Sequence, residues 1–330
     1  MIRTTIGIST GDPSGIGLEV ALKALPSVLD QARWILFTDR PAFDRHYVRF
    51  GSAMPCRWIT SPGEVLQDDT DRSLFLIEVP GATCPIPWGD VQTAAGERAV
   101  AYLHAAGDAA LRREIAGIVT APVNKAAIST SFKGQTEFLA EQAGVNRFAM
   151  AFFTPTFKVV LATVHISLKE ALAKLSTPLY VDLIRFVSVE LQRLGFANPR
   201  IAVAGVNPHA GEGGMFGREE LDLLVPAVEA CANEGIQVSG PHSADSLYYR
   251  AHSGEFDVII APYHDQGLAP VKIVAHGTST NVTLGLPYIR TSPDHGTALS
   301  IAGKGLADPE GMLSAMRCAM DLCRRIHLGT

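Results

Sequence analysis

Three histidines follow three separate apolar runs of the sequence. His165 comes directly after KVVLATV, His209 lies in VNPHAGEGG after IAVAG, and His264 lies in PYHDQG after DVIIA. Short runs rich in valine and isoleucine are typical of buried strands. Ligands of open α/β sheets bind beyond the carboxyl ends of the strands, so we expect the three imidazoles at the functional edge of the sheet.

Three neutral imidazoles around an open coordination position make a catalytic divalent-metal site, for zinc, cobalt, manganese or magnesium. A single histidine at the start of a loop is more often a capping or surface residue. We keep that simpler interpretation for the histidines in ordinary polar or helical contexts, which are His46, His104, His252 and His327. The spacing of the three along the chain matches no known zinc signature. Their matching position after a strand is what favours a shared site.

Two aspartates accompany these histidines. Asp265 is the neighbour of His264, and Asp245 lies in PHSADSLYY. Either carboxylate could orient a ligand imidazole, join the metal shell or accept a proton. Loop capping by an Asx turn is the structural alternative, and it explains Asp245 taken alone equally well.

A second group of polar residues suits an anionic substrate. Thr136, in GQTEFLAEQAG, can present a hydroxyl and helix-start N–H groups to a phosphate. Lys272, Asn281 and Arg290 follow at intervals of nine residues, and together they could hold a phosphorylated or carboxylated substrate. Lys272 could instead be a solvated surface residue. That alternative fits Arg290 less well, because apolar and proline-bounded sequence encloses it.

Strands and helices must alternate to position these residues. Predicted strands are TIGI (5–8), WILF (34–37), LFLI (74–77), GIVT (117–120), KVVLATV (158–164), IAVAG (201–205) and DVIIA (257–261). Between them, SLKEALAKL has a capping box at Ser167 and an apolar face made by Leu168, Ala171, Leu172 and Leu175. Thr177 and Pro178 open another helix. The class is therefore α/β with a largely parallel sheet.

The turn STGDPSGIG could bind an anion or a cofactor, but it is neither a P-loop nor the usual dinucleotide fingerprint.

Composition excludes several classes of protein. The chain has 330 residues, of which 47% are hydrophobic and 18% charged, enough for two cores. With a net charge of -5, the chain has no excess of basic residues, which argues against a nucleic-acid-binding protein. The five cysteines form no C-x-x-C pair, which predicts a reducing, cytoplasmic setting. Neither a signal peptide nor a membrane-spanning run is evident.

Several longer motifs resemble a known family. GDPSGIG, PVNK, GQTEFLA, NPHAGEGG, YHDQG, NVTLGLPYIRTS and DHGTAL occur in the order found in the 4-hydroxythreonine-4-phosphate dehydrogenases and their close relatives. The resemblance spans nearly the whole chain. It implies a homodimer of two-domain α/β subunits, related in fold to isocitrate and isopropylmalate dehydrogenases, with the active site in an interdomain cleft. The first domain would comprise 1–140 with 280–330, and the second, with the metal ligands and dimer contacts, 141–279.

The resemblance also implies an activity and the residues that serve it. The expected reaction is the NAD-dependent oxidation of a phosphorylated 3-hydroxy acid, followed by loss of carbon dioxide, with 4-phosphooxy-L-threonine of pyridoxal 5′-phosphate biosynthesis as the leading substrate. His165, His209 and His264 match metal ligands that the family assembles across the dimer interface. The other matches are substrate contacts at Thr136, Lys272, Asn281 and Arg290, and acidic residues beside the metal at Asp245 and Asp265. We predict Asp245, Asp265 and Lys272 as catalytic residues.

One departure from the family pattern affects the substrate. The family usually has Gly-His-Thr where this chain has Gly134, Gln135 and Thr136. Gln135, which we still predict to contact substrate, can donate a hydrogen bond but cannot become cationic. D-threonate or D-erythronate 4-phosphate is therefore an alternative substrate, and an aromatic cis-dihydrodiol carboxylate is a more distant one.

Two other classes of protein fit part of the pattern. A catalytically silent phospholigand-binding protein would explain Gln135 but has no use for three histidines so placed. A metal-dependent aldolase or hydrolase would use the histidines but leave a cofactor-sized cleft unused. NADH formation distinguishes both from a dehydrogenase.

Overall fold

The computed structural model describes residues 3–51, 54–67, 73–81, 84–128 and 132–328. The strands, in chain order, are β1 (Thr5–Ser9), β2 (Arg33–Thr38), β3 (Cys56–Ile59), β4 (Leu74–Glu78), β5 (Gly117–Thr120), β6 (Ala149–Phe153), β7 (Lys158–Leu161), β8 (Ile201–Ala204), β9 (Val238–His242), β10 (Val258–Ala261), β11 (Thr280–Leu284) and β12 (Ile289–Pro293).

Helices separate most of the strands. They are α1 (Gly17–Ala24), α2 (Arg40–Phe50), α3 (Thr93–Leu111), α4 (Gln135–Gln142), α5 (Leu168–Lys174), α6 (Thr177–Arg193), α7 (Val225–Asn233), α8 (Ala244–His252), α9 (His264–Ala275) and α10 (Glu310–Leu328). Within the described ranges, none of the helices combines the length and apolar character needed to cross a bilayer.

The chain divides into two compact units. Unit 1 is 1–148 with 280–324, and unit 2 is 149–279 with 325–330. In unit 1 the strand order is β3-β4-β2-β1-β5-β12-β11, parallel except for β11, which runs antiparallel to β12. In unit 2 the order is β6-β7-β10-β8-β9, parallel except for β6. The predicted α/β class, with largely parallel strands, is confirmed.

Each unit has its own apolar core. In unit 1, Ile35 and Phe75 from the sheet pack with Tyr102 and Leu103 of α3. In unit 2, Val159 and Ile259 of neighbouring strands pack with Leu247 of α8 and Val271 of α9. Side chains of this kind drive folding through the area they remove from water. The histidines after the strands of unit 2 lie outside its core, since His165 and His209 are exposed and His264 is half-buried.

Two predicted helices of unit 2 form where the sequence indicates. Ser176 caps α6 by accepting the Leu179 N–H at 3.3 Å, with Pro178 in the first turn. Ser167 caps α5 by accepting the Glu170 N–H at 3.2 Å. The predicted apolar face of α5 is only partly covered. Ala171 and Leu175 are buried, but Leu168 is 54% and Leu172 40% exposed.

Candidate active site

The loops that carry the three histidines leave adjacent strands of unit 2. The central strand β10 pairs in parallel with β7 through Ala261 and Leu161, and with β8 through Val258 and Ile201. Because the carboxyl ends of parallel strands lie at the same edge of a sheet, all three loops emerge on one side. This is the topology that the sequence predicts.

His165 and His264 lie close together at this edge. Their ring centroids are 5.5 Å apart, at an interplanar angle of 44°. The Thr163 hydroxyl, which precedes His165, donates to the Pro262 carbonyl oxygen at 2.8 Å and so ties the two loops together. Two imidazoles that bind one zinc ion through nitrogens at about 2.0–2.1 Å have centroids about 5 Å apart. The observed spacing fits a pair of ligands for one cation.

Asp265 fixes the orientation of His264. Its Oδ1 lies 2.8 Å from His264 Nδ1, and His264 is the first residue of α9. A carboxylate oxygen can only accept, so Nδ1 carries the proton and Nε2 is left with its lone pair. Metal-ligating histidines are commonly held in this way by a carboxylate.

His209 lies on an unusual loop after β8. Residues 209–213 all have left-handed backbone conformations, with φ of 52° at His209. Its Nδ1 is 3.8 Å from Asp245 Oδ2, and both side chains are mostly exposed. Asp245 accepts a hydrogen bond from the Ser243 hydroxyl at 2.7 Å, which lowers the pKa of the Asp245 carboxyl and favours its ionised form.

The predicted set of three histidines is divided in a single chain. His165 and His264 form one pair, while His209 faces Asp245. Among the described residues, no group of three or more His, Cys, Asp or Glu side chains is arranged to hold a metal ion. Within the described residues of one chain, the three imidazoles are therefore not arranged around one position.

Lys272 lies at the other end of α9 from His264. It is in the last turn of that helix and is exposed. With a rise of 1.5 Å per residue, the two positions are about 12 Å apart along the helix axis. Within unit 2, Lys272 is thus not next to the histidine pair.

Unit 1 contains a buried arginine surrounded by hydroxyl groups. Arg290, on β12, is 3% exposed. Its guanidinium donates to Thr120 Oγ1 at 3.0 and 2.8 Å, to Thr136 Oγ1 at 3.3 Å and to Thr283 Oγ1 at 3.1 Å. Thr136 is the second residue of α4, so the arginine and a helix N-terminus share one position. The sequence predicts both as substrate contacts, and the structure brings them together.

The charge of Arg290 has no carboxylate partner at contact distance within the described residues. Burial lowers the pKa of Arg290 to about 10, and Glu137 opposes that shift only through space. Asn281 pairs with Ser292 across β11 and β12. Since side chains two residues apart share a face of a strand, Asn281 and Arg290 lie on the same face of this ladder.

The side-chain amide of Gln135 is hydrogen-bonded to the protein backbone. Its Nε2 donates to the Ala121 carbonyl oxygen at 3.1 Å. That contact fixes the amide orientation, because only the NH₂ end can face a carbonyl oxygen. One donor of the residue that replaces the family's histidine is therefore directed at the end of β5.

Two residues that sequence reasoning missed support the histidine loops. Gln266 Nε2 donates to the Gly205 carbonyl oxygen at 2.8 Å and links α9 to the end of β8. Glu220 is buried and accepts the backbone N–H groups of Val206 and Asn207. Gln266 lies within the family motif YHDQG, so its role near the histidines could have been predicted from the sequence. Glu220 lies in the ordinary acidic stretch REELD, which does not indicate such a role.

Comparison with known proteins gives a consistent result. The family model described as pyridoxal phosphate biosynthetic protein PdxA matches residues 30–319. A 4-hydroxythreonine-4-phosphate dehydrogenase of Beijerinckia indica is 39% identical, covering 100% of this chain and 97% of its own. A D-threonate 4-phosphate dehydrogenase of Cupriavidus necator is 41% identical, covering 97% of each.

A solved structure supports the same assignment. The crystal structure of a 4-hydroxythreonine-4-phosphate dehydrogenase from Klebsiella pneumoniae has a TM-score of 0.88 and 36% identity, and the match covers 98% of both chains. The resemblance stated from the sequence motifs is confirmed. The chain belongs to the PdxA family of pyridoxal phosphate biosynthetic proteins.

Proposed function

We propose that this protein is a metal-dependent, NAD-linked dehydrogenase that oxidises and decarboxylates a 4-phosphorylated 3-hydroxy acid. The first choice of substrate is 4-phosphooxy-L-threonine, on the path to pyridoxal 5′-phosphate. The observation that carries the proposal is Arg290, a buried guanidinium whose contacts are three threonine hydroxyls. Relatives and structural neighbours named as dehydrogenases of such phosphorylated acids support it.

The surroundings of Arg290 suit a phosphate group. A buried cation is costly unless an opposite charge accompanies it, and hydroxyl groups supply none. A phosphate beside Thr136, at the start of α4, would supply that charge and also accept the N–H groups of the helix N-terminus. Asn281 lies on the same face of the sheet as Arg290. Lys272 is a further substrate contact that the family resemblance implies.

His165, His209 and His264 would hold the metal. When bound, a divalent cation supplies Lewis acidity toward the substrate alcohol, and NAD is the hydride acceptor. Asp265 keeps the proton on His264 Nδ1. Asp245 has a lowered pKa, which suits it to orienting His209 and balancing charge better than to removing a proton.

The divided ligand set leads us to propose a homodimer with a shared site. A second copy would bring the missing imidazole to each site. Six of the eight large apolar side chains exposed in the described part of unit 2 lie on the segments after His165 and His209 and on the helix that bears Asp245. They are Leu168, Leu172, Met215, Phe216, Leu221 and Tyr249, and the other two are Val189 on α6 and Ile273 on α9. Such exposed apolar surface is typical of a protein interface.

Three further features remain proposals that follow from the family. They are the two-domain arrangement related to isocitrate and isopropylmalate dehydrogenases, the domain ranges 1–140 with 280–330 and 141–279, and a cytoplasmic location.

D-threonate 4-phosphate, with D-erythronate 4-phosphate, is the second candidate substrate. The 41% identical relative is named for the former. The family's histidine is replaced by Gln135, whose amide is directed at Ala121, so one family contact to the substrate is altered here. An aromatic cis-dihydrodiol carboxylate fits less well, because it has no phosphate for Arg290.

A substrate panel tests the proposal. NADH absorbance would be followed with 4-phosphooxy-L-threonine, D-threonate 4-phosphate, D-erythronate 4-phosphate and a cis-dihydrodiol carboxylate, with zinc and magnesium supplied separately. We expect NADH from a phosphorylated acid, and its loss after chelation of the metal. Binding of phosphate esters without NADH under any metal would contradict the proposal and support a silent binding protein.

A further inference from the structure

We propose that Glu220 is a positioning residue that fixes His209 as a metal ligand, an inference that rests on the metal site proposed above. Glu220 is 2% exposed. It begins a π-helical segment, Glu220–Leu224, that continues into α7. The histidine it serves lies eleven positions earlier, on the loop after β8.

The carboxylate of Glu220 binds the base of the His209 loop. Its Oε1 accepts the backbone N–H of Val206 at 2.7 Å and of Asn207 at 2.6 Å, and its Oε2 accepts the Asn207 side-chain amide at 2.9 Å. Glu220 forms no ion pair with any described residue. A buried polar group is costly unless it is hydrogen-bonded, and these three donors satisfy both oxygens of Glu220.

The loop needs such support because its backbone is strained. His209, Ala210 and Glu212 have φ of 52°, 52° and 45°, in the left-handed region that L-residues avoid. Strain of this kind persists only when the surroundings over-determine the conformation. The contacts of His209 itself supply little, since its side chain is 60% exposed.

Glycines allow the loop to wrap closely around the carboxylate. A Cβ on Gly211 would lie 2.7 Å from Glu220 Oε2, and one on Gly205 would lie 3.3 Å from Oε1. Gly205 is also held on both sides, because its N–H donates to the His242 carbonyl oxygen and its own carbonyl accepts from Gln266. Glu220 is thus the internal support for the segment that presents His209.

Cobalt binding by the full-length protein tests the role of Glu220. The probe is Co²⁺ alone, followed by its visible absorption and by competition with a chromophoric chelator. In E220Q the carboxylate is replaced by an amide of the same shape, whose NH₂ group would face the Asn207 amide or displace it. Loss of a group that hydrogen-bonds a metal ligand typically weakens affinity 10- to 100-fold. Because Glu220 binds the base of the loop and does not contact His209 itself, we expect a loss at the lower end, about 10-fold.

E219Q is the matched control. Glu219 accepts from the same Asn207 amide at 2.7 Å but makes no backbone contact to the loop in the described structure. We expect its cobalt affinity to stay close to that of the wild type. Hydrogen exchange of metal-free protein gives a second readout, in which the amides of 205–214 should exchange faster in E220Q but not in E219Q. Should E220Q not fold, E220D, which keeps the charge but shortens the side chain, should show the same changes to a smaller degree.

The outcomes separate this inference from the proposed function. Cobalt affinity lost in H209A but equal to wild type in E220Q would overturn the role of Glu220 and leave the metal site standing. A wild-type protein that binds no cobalt would overturn the metal site itself. Weakened binding and faster exchange in E220Q, with E219Q unchanged, would establish the positioning role.

Discussion

Arg290 is the residue whose chemistry is most specific to the proposed substrate. Its five N–H donors are arranged in a rigid fork, and four contacts to three threonine hydroxyls hold that fork in place. A lysine could carry the charge but could not make these contacts. The difference between the two cations gives a direct test of the phosphate site.

We expect R290K to lower kcat/KM for the phosphorylated substrate by about 100-fold, because a forked, charge-assisted contact is replaced by a point charge. Steady-state kinetics with the best substrate of the panel would measure this. R112K is the matched control, since Arg112 is exposed and pairs with Asp108 and Glu114 on the surface of unit 1. An unchanged KM and kcat in R290K would mean that Arg290 does not bind the substrate.

We expect His46 to affect stability rather than catalysis. The sequence suggests an ordinary helical histidine, but the structure buries it completely. Its Nδ1 lies 2.7 Å from the Ala42 carbonyl oxygen, and its Nε2 accepts the Trp88 indole N–H at 2.9 Å. Burial lowers the pKa of His46 from 6.5 to about 4. The folded state therefore keeps this imidazole neutral at pH values where the unfolded chain protonates it.

The contribution of His46 to stability should consequently fall as the pH drops from 6.5 to 4 and level off below that range. The unfolded state binds the extra proton in this window, and the loss from His46 alone is roughly 3 kcal/mol. We expect H46Q to lose less free energy of unfolding than the wild type between pH 7 and 4.5, as measured by urea denaturation. H104Q, at an exposed position of α3, serves as control. Equal losses in H46Q and wild type would contradict this assignment.

Between elements, the hydrogen bond from Thr163 to Pro262 sets the spacing of the histidine pair. β7 ends at Leu161, three residues earlier than the run KVVLATV predicts, and Thr163 lies in the segment between β7 and His165. The backbone N–H of Ala162 also donates to the Ala261 carbonyl oxygen at 2.8 Å. The position of His165 therefore depends on contacts between two loops.

We expect T163V to weaken Co²⁺ binding by about 10-fold and to destabilise the protein by about 1–3 kcal/mol, because the Pro262 carbonyl loses a buried donor. T154V is the matched control. Thr154 makes the same kind of bond, to the Phe157 carbonyl oxygen, in the turn between β6 and β7 at the opposite end of β7. T154V should cost stability without changing cobalt affinity. If both variants bind cobalt like the wild type, the loop contact does not position His165.

The elements that the sequence predicts share one property. All seven predicted strands form, since runs of valine, isoleucine and leucine buried on both faces are a strong signal. The five that were missed lack such runs. β3 is partly exposed, β9 contains Gly240 and Pro241, and β12 contains a buried arginine. Local composition does not reveal strands whose pairing depends on distant partners.

The candidate site is only partly predictable for the same reason. Histidines after strands, and Arg290 in apolar surroundings, can be recognised from local pattern. The contacts that position them cannot, because Glu220, Gln266 and Thr163 act on segments that only the fold brings near. The exposure of Leu168 and Leu172 was also not predictable, because the sequence pattern of an apolar helix face does not show which segment packs against it.

In the whole molecule, we propose that imidazoles from two copies of the chain surround one cation. The described part of a single chain contains no complete ligand set, yet His165 and His264 are spaced as a ligand pair and His209 is presented on a supported loop. In a symmetric dimer with shared sites, one subunit can supply what the other lacks.

Subunit complementation distinguishes a site shared by two chains from one formed within a single chain. H165A and H209A would be co-expressed with different tags, and the mixed dimer purified through both. Each parent should form sites that lack one imidazole and should neither retain metal nor form NADH. The mixed dimer should contain one intact site and recover about half of the wild-type activity and metal content. A mixed dimer as inactive as its parents, or a wild-type protein that is fully active as a monomer, would contradict the account.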